Sequence, residues 1–192
     1  MVELESGSIQ TMAELTSFEK VQTELFEFFE KLGELAKEEA WKRDRDWTLG
    51  INKHIADFGH KYGFGVFASR CQGADGAEWL YDHHWRVIGP NGYLKRLPLV
   101  MEIEWGFGSN GLFENVRDDF LKLVQARADL RVIVFQGNRI NNMVDQLINE
   151  AMCFAGGQIG DRYLRYLFAG WGWDTSRIHC RLWSNGPAVE PG

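Results

Sequence analysis

The sequence predicts an α/β domain of the α+β kind, a central mixed β-sheet flanked by helices. Apolar residues recur at helical spacing through the N-terminal third, and short strand-like runs bounded by glycine follow. One continuous apolar run, Arg131 to Gln136 (RVIVFQ), then stands between two amphipathic stretches, as a strand buried on both faces would. Hairpins leading into a strand-helix-strand crossover combine antiparallel and parallel pairing in one sheet.

Each element has its own signal. From about Met12 to Arg43, Leu15, Phe18, Val21, Leu25, Phe28, Phe29, Leu32 and Leu35 fall on one helical face, as one long helix or two short ones broken at Gly33. Asn52 to Tyr62 is a second helical stretch, stopped by Gly63. Strands are expected at Phe64 to Ser69 (FGVFAS), Glu78 to Val87 (EWLYDHHWRV) and Leu97 to Trp105 (LPLVMEIEW), the last two joined through the turn residues Gly89 to Gly92 (GPNG). After the glycine-rich link Gly106 to Gly111, Phe113 to Asp129 reads as a helix with Val116, Phe120, Leu121, Leu123, Val124 and Ala128 inward. Asn141 to Phe154 is another amphipathic helix, and Tyr163 to Phe168 and Ile178 to Trp183 are closing strands around a turn at Gly170 to Trp173 (GWGW). The expectation is a single domain over residues 1–192: helices over 12–62, a core over 64–136, and a final helix and strands over 141–183.

Composition narrows the function classes. The 192 residues carry 27 acidic and 21 basic side chains, a formal charge of −6, with 45% hydrophobic and 25% charged residues. That is the balance of a packed domain, and no stretch approaches the ~18 apolar residues of a membrane span. The acidic balance argues against a grip on nucleic acid by net charge alone. Locally, Lys95, Arg96, Arg127, Arg131 and Arg139 bracket the core and would flank a phosphate path. Cys71, Cys153 and Cys180 are odd in number and widely spaced, which suits free, buried thiols in a reducing compartment. The acidic N-terminus has no basic-then-apolar leader, so a cytoplasmic location is expected. Only Ser184 to Gly192 has linker composition.

The chemistry concentrates in the third strand. Side chains alternate along a strand, so Met101, Ile103 and Trp105 face one side and Val100, Glu102 and Glu104 the other, with the two carboxylates about 7 Å apart. Like charges that close are unfavourable unless water or a cation screens them. The preceding strand offers Asp82, with Leu80 and His84 on its own face. If the two strands pair as a hairpin, Asp82 lies beside Glu102, and such oxygen donors suit a hard cation such as Mg²⁺.

Asp82, a turn, Glu102-Ile103-Glu104 in a strand, an amphipathic helix and the buried RVIVFQ strand together resemble the core of the PD-(D/E)XK nuclease superfamily, the restriction-endonuclease-like fold. The resemblance spans roughly Phe64 to Gln136, with the helices of Met12 to Tyr62 ahead of it. It implies Asp82 and Glu102 as metal ligands, the Ile103 carbonyl as a further one, and position 104 as the catalytic position. That position holds Glu rather than the family's Lys, and position 81 holds Tyr rather than Pro. Some restriction enzymes of the superfamily carry Glu there, where it would act as general base or extra ligand. Alternatively Lys122, on the following helix and one turn beyond Asp118, supplies the cation, as in members whose lysine has migrated. A helix carboxylate could come from Glu38, Glu39 or Asp57. The resemblance thus implies a Mg²⁺-dependent hydrolase, an endonuclease cleaving DNA. The competing class is a catalytically inactive relative serving as a protein-interaction or nucleic-acid-binding module, with a homodimer or protein partner.

Other motifs carry less. Gly106-Phe107-Gly108-Ser109-Asn110-Gly111 spells G-x-G-x-x-G between a strand and a helix, yet the strand before it holds Glu102 and Glu104 and the next ends in Gln136, without the acid that grips a ribose. A flexible loop beside the carboxylates is the preferred reading. His54, His60, His83, His84 and His179 lack metal-ligand spacing, and only His84 shares a face with Asp82. Exposed Trp171 or Trp173 could stack on a base or a partner.

Overall fold

The computed structural model describes residues 5–106, 112–156 and 164–186. The N-terminal helical region is α1 (Glu5–Glu30) and α2 (Leu32–Glu38). The break falls at Lys31, two residues ahead of the expected Gly33, and the Lys31 N–H still reaches the carbonyls of Glu27 and Phe28 at 3.3 and 3.2 Å. Helix α3 (Asp44–Lys61) starts eight residues before the expected Asn52. Its first turn is polar and gives no apolar period, but the Asp46 carboxylate accepts the backbone N–H groups of Lys42 and Arg43 at 3.2 and 3.1 Å, which caps the start. The stop at Gly63 is as expected, with φ +74.

The strands are β1 (Gly65–Ala68), β2 (His83–Ile88), β3 (Leu94–Glu104), β4 (Ala128–Gly137), β5 (Arg165–Gly172) and β6 (Arg177–Ser184), with α4 (Leu112–Gln125) and α5 (Ile140–Gly156) between them. They form one mixed sheet in sequence order, β1-β2-β3-β4-β5-β6. The β3–β4 and β4–β5 pairs are parallel and the others antiparallel. This is the mixed sheet flanked by helices that the sequence predicts.

Strand alternation sorts the interior into two layers. Val66, Trp85, Leu99, Met101, Ile103, Trp105, Leu130, Val132 and Val134 pack with α1, α2 and α3. Val100, Ile133, Phe135, Tyr166 and Phe168 pack with α4 and α5. β4 therefore buries both faces, which is why RVIVFQ reads as an unbroken apolar run. Gly59 lets α3 lie close on β1, because a Cβ there would stand 2.5 Å from Val66 Cγ2.

Five expectations are corrected. Glu78 to Val87 is not one strand: residues 78–82 are a loop, because β1 stops at Ala68 and its last bond to this segment is the Ser69 N–H on the Asp82 carbonyl at 3.1 Å. The Asp75 carboxylate accepts the Val66 N–H at 2.7 Å, and the Ala68 N–H donates to Gly76 at 3.2 Å. Helix α4 ends at Gln125 rather than Asp129, and Ala128 opens β4. The buried Arg131 guanidinium binds the Leu123 carbonyl at 3.0 Å and that of Ala126, capping the helix end, so Arg131 flanks no phosphate path. Gly170 and Gly172 lie within β5, and the turn follows, closed by the Ser176 N–H on the Gly172 carbonyl at 2.7 Å. A Cβ at Gly170 would come 2.4 Å from Ile140 Cγ2, so its glycine serves the α5 contact rather than a turn. Finally, the cysteines are free but not buried: Cys71 and Cys180 are half-buried and Cys153 is exposed.

Tyr163 and nearly all of the G-x-G-x-x-G segment lie outside the described residues. Among the described residues no helix is long and apolar enough to cross a membrane.

Candidate active site

The β2–β3 hairpin brings the first two acids together. His83 pairs with Met101, so Asp82, one residue ahead of β2, arrives beside Glu102. Asp82 is a loop residue here rather than a strand residue, held because its Oδ2 accepts the Ile103 N–H at 2.9 Å. The turn that sets this register is as expected: the Gly89 N–H donates to Tyr93 and the Gly92 N–H to Gly89, both at 2.9 Å, with Gly92 at φ +78. Along β3, Glu102 points to the α4 side, and Ile103 points the other way into the layer of α1 to α3.

Helix α4 completes the group. Lys122 Nζ lies 2.7 Å from Asp119 Oδ1 and 3.5 Å from Glu102 Oε1. The second distance is that of an ion pair, and it leaves Glu102 Oε1 without a hydrogen bond. Glu104 accepts the Gly106 N–H, and the Asp119 charge adds to the burial that raises its carboxyl. The structure thus gathers Asp82, Glu102, Glu104 and Lys122, all anticipated, and adds Asp119, which no motif in the sequence singles out. A signal existed. Asp119 is three residues after Val116 and four before Leu123, both buried, so it borders the inward stripe, whereas Asp118 is exposed. Glu38 and Asp57 are exposed and belong to helices on the opposite face, and Glu39 pairs with His54 at 2.9 Å, so none of them contributes a carboxylate to this site.

The electrostatics are those of crowded acids. Glu102 is only 2% exposed, and burial, reinforced by the Asp82 charge, pushes its carboxyl up to about 8. Burial likewise raises Asp82 and Glu104. Near neutrality Glu102 therefore keeps its proton beside Asp82. Burial alone would lower Lys122, but its contact with Asp119 and the Glu102 charge outweigh that and hold it fully charged.

Histidines frame the site without joining it. His83 is buried with Nδ1 3.2 Å from Asn52 Oδ1, and its Nε2 accepts Trp85 Nε1–H at 3.2 Å. His84 is buried on the acid side, where Nε2 accepts the Arg86 Nε–H at 2.8 Å. Burial depresses both, to about 3 and about 4, so both are neutral. Trp171 packs on Trp47 at 5.4 Å, and Trp173 donates to Gln136 Oε1 at 3.1 Å, and both are half-buried rather than exposed as the sequence suggested.

In donor chemistry the group fits a hard divalent cation. Its ligands would be oxygens only, and one buried carboxylate oxygen has no hydrogen bond. Among the described residues, however, no three His, Cys, Asp or Glu side chains already form an ion-holding cluster. Burial also favours the protonated form of Glu102, so ligation there would release a proton.

Comparisons with known proteins add no family: no family model, no curated protein and no solved structure matches the chain.

Proposed function

We propose that the chain is a Mg²⁺-dependent nuclease of restriction-endonuclease-like type, a hydrolase of DNA phosphodiesters. Asp82, Glu102 and Glu104, with the Ile103 carbonyl, would hold the ion, and Lys122 is the catalytic cation. One observation carries the reading: from α4, Lys122 reaches within 3.5 Å of Glu102 Oε1 and so supplies the positive charge that position 104 lacks. The order of elements supports it, with two antiparallel strand pairs leading into the parallel β3-α4-β4 crossover.

Bound at these carboxylates, Mg²⁺ would polarise the phosphate and acidify a water. The protein's own part is positional and electrostatic. The Ile103 N–H fixes the Asp82 carboxylate. Asp119 holds the Lys122 ammonium, a pure donor suited to a phosphate oxygen or to charge developing on it. Glu104, half-buried at the mouth with a raised proton affinity, is placed to take a proton from water. Divalent-ion-dependent cleavage of single- and double-stranded DNA and RNA tests the reading. Glu102→Gln and Lys122→Met should each abolish it, and a wild-type chain that cleaves none of the four would refute it.

The lack of a ready three-carboxylate group favours a second reading, an inactive module in which Lys122 merely neutralises buried acid. In that case Lys122→Met alters stability and there is no cleavage to lose.

A further inference from the structure

The two faces of the sheet are covered unequally. α3 lies on β1 on one side, whereas on the other side α4 rests on β3 and β4 and α5 on β5 and β6. The α4-side face of β1 and β2 is left to side chains of the strands and of the 69–82 loop. By alternation that face carries Phe67, His84 and Arg86, in line with Asp82. Phe67 stacks on His84 at 5.4 Å and 13°. The Arg86 guanidinium lies 3.7 Å from the Phe67 ring centroid and 5.7 Å from that of Trp79. Its Nε is held by buried His84, and among the described residues no carboxylate pairs with Arg86. Trp79 is 67% exposed and Leu80 57%, and they stand three and two residues ahead of Asp82.

Folding alone does not explain this patch. An indole that exposed contributes little core, and an unpaired guanidinium fixed beside it by a buried histidine is a preorganised anion site. A flat ring beside a fixed cation matches a ligand with a π-face and a negative charge a few ångströms away. A nucleotide with an unstacked base has both. In a duplex the base faces are hidden in the stack, so only an unpaired segment can use Trp79.

We infer that this open flank of β1–β2 binds an unpaired stretch of nucleic acid, stacking a base on Trp79 and pairing a phosphate with Arg86, and leads its backbone to Asp82 and Glu102. The inference rests on the proposed nuclease reading and deepens it by naming the substrate class: single-stranded nucleic acid, or single-stranded ends and flaps. It also offsets the charge of −6 locally, since Arg86 is a cation facing the site with no internal acid to answer.

The test is fluorescence anisotropy with a labelled oligothymidylate and a duplex of equal length, once with calcium and once with EDTA. The single strand should bind at least about tenfold more tightly than the duplex. Trp79→Ala should weaken single-strand binding about tenfold with an unchanged melting temperature, because the ring is exposed. Arg86→Gln should lower the slope of affinity against salt by about one ion. Equal or tighter binding of the duplex, unchanged binding by Trp79→Ala, or no binding of either probe would overturn the inference, the last pointing instead to a protein partner. Cleavage with no Trp79 effect would leave the nuclease reading standing without it, and Trp79-dependent binding with no cleavage would do the reverse.

Discussion

Replacing Glu102 by Gln should stabilise the isolated protein, and the gain should depend on pH. Glu102 is buried against Asp82, and its carboxyl stands at about 8 instead of the ordinary 4.5. At about 1.4 kcal/mol per pH unit, ionising it in the folded state costs about 5 kcal/mol in full, of which about 3 kcal/mol is already present at pH 7. The sign follows from the raised value. The stability this carboxyl allows is complete below about 4.5 and is lost as pH rises through about 8. Gln has nearly the same shape and cannot ionise, so Glu102→Gln should match wild type near pH 4.5 and pull ahead above it. For a chain of this size about 2–4 °C per kcal/mol makes that roughly 10 °C in melting temperature near pH 8. The assay is thermal unfolding across pH with divalent ions chelated. Mg²⁺ at about a hundred times its dissociation constant should return about 2.7 kcal/mol to wild type and little to the variant. A Glu102→Gln protein no more stable than wild type at pH 7 to 8 would refute the reasoning, because Glu102 would then not be a carboxyl held in an unfavourable place.

The same geometry has other consequences. Lys122→Met leaves Asp119 and Glu102 without their cation, and cleavage should fall by at least about a hundredfold in a gel assay. Asp82→Asn keeps an oxygen for the Ile103 N–H but removes charge, so its melting temperature should hold or rise while cleavage is lost. His83 and His84 are depressed from 6.5 to about 3 and about 4, so their contribution is complete above about 6.5 and lost as pH falls through 4 and 3. In Glu102→Gln, therefore, stability should climb from about pH 4 to 6.5 and level off, read from urea midpoints. Phe120 is fully buried against Tyr166 and Phe168 at 5.3 and 5.8 Å, and Phe120→Ala should cost about 3–5 kcal/mol in urea unfolding.

Much of the architecture is legible because periodicity survives folding. β4 buries both faces and reads as apolar throughout, and β3 puts Met101 and Ile103 against one helical layer and Val100 and Glu102 against the other, as alternation requires. Element ends were less legible, because polar contacts set them. α3 begins early since Asp46 accepts two backbone N–H groups, and α4 ends early since Arg131, six positions past its last residue, folds back onto the carbonyls of Leu123 and Ala126. Those partners carry no apolar signature. The 78–82 segment alternates like a strand yet loops, because β1 stops at Ala68 on one side and on the other the Ile103 N–H goes to the Asp82 side chain rather than to a ladder.

The candidate site divides in the same way. Asp82, Glu102 and Glu104 share a face by strand geometry and hairpin register, and the sequence by itself determined that much about this protein. Tertiary structure decided the rest, namely which helix residue would answer them and at what proton affinity. Placing α4 across β3 turned Lys122 and Asp119, rather than Asp118, toward Glu102, and burial to 2% exposure moved that carboxyl to about 8. Tertiary structure likewise chose Trp79 over Trp171 and Trp173 as the exposed ring. The physical reason is common to all three. Facing along one strand is a property of the backbone period, while exposure, desolvation and charge pairing depend on what packs above it.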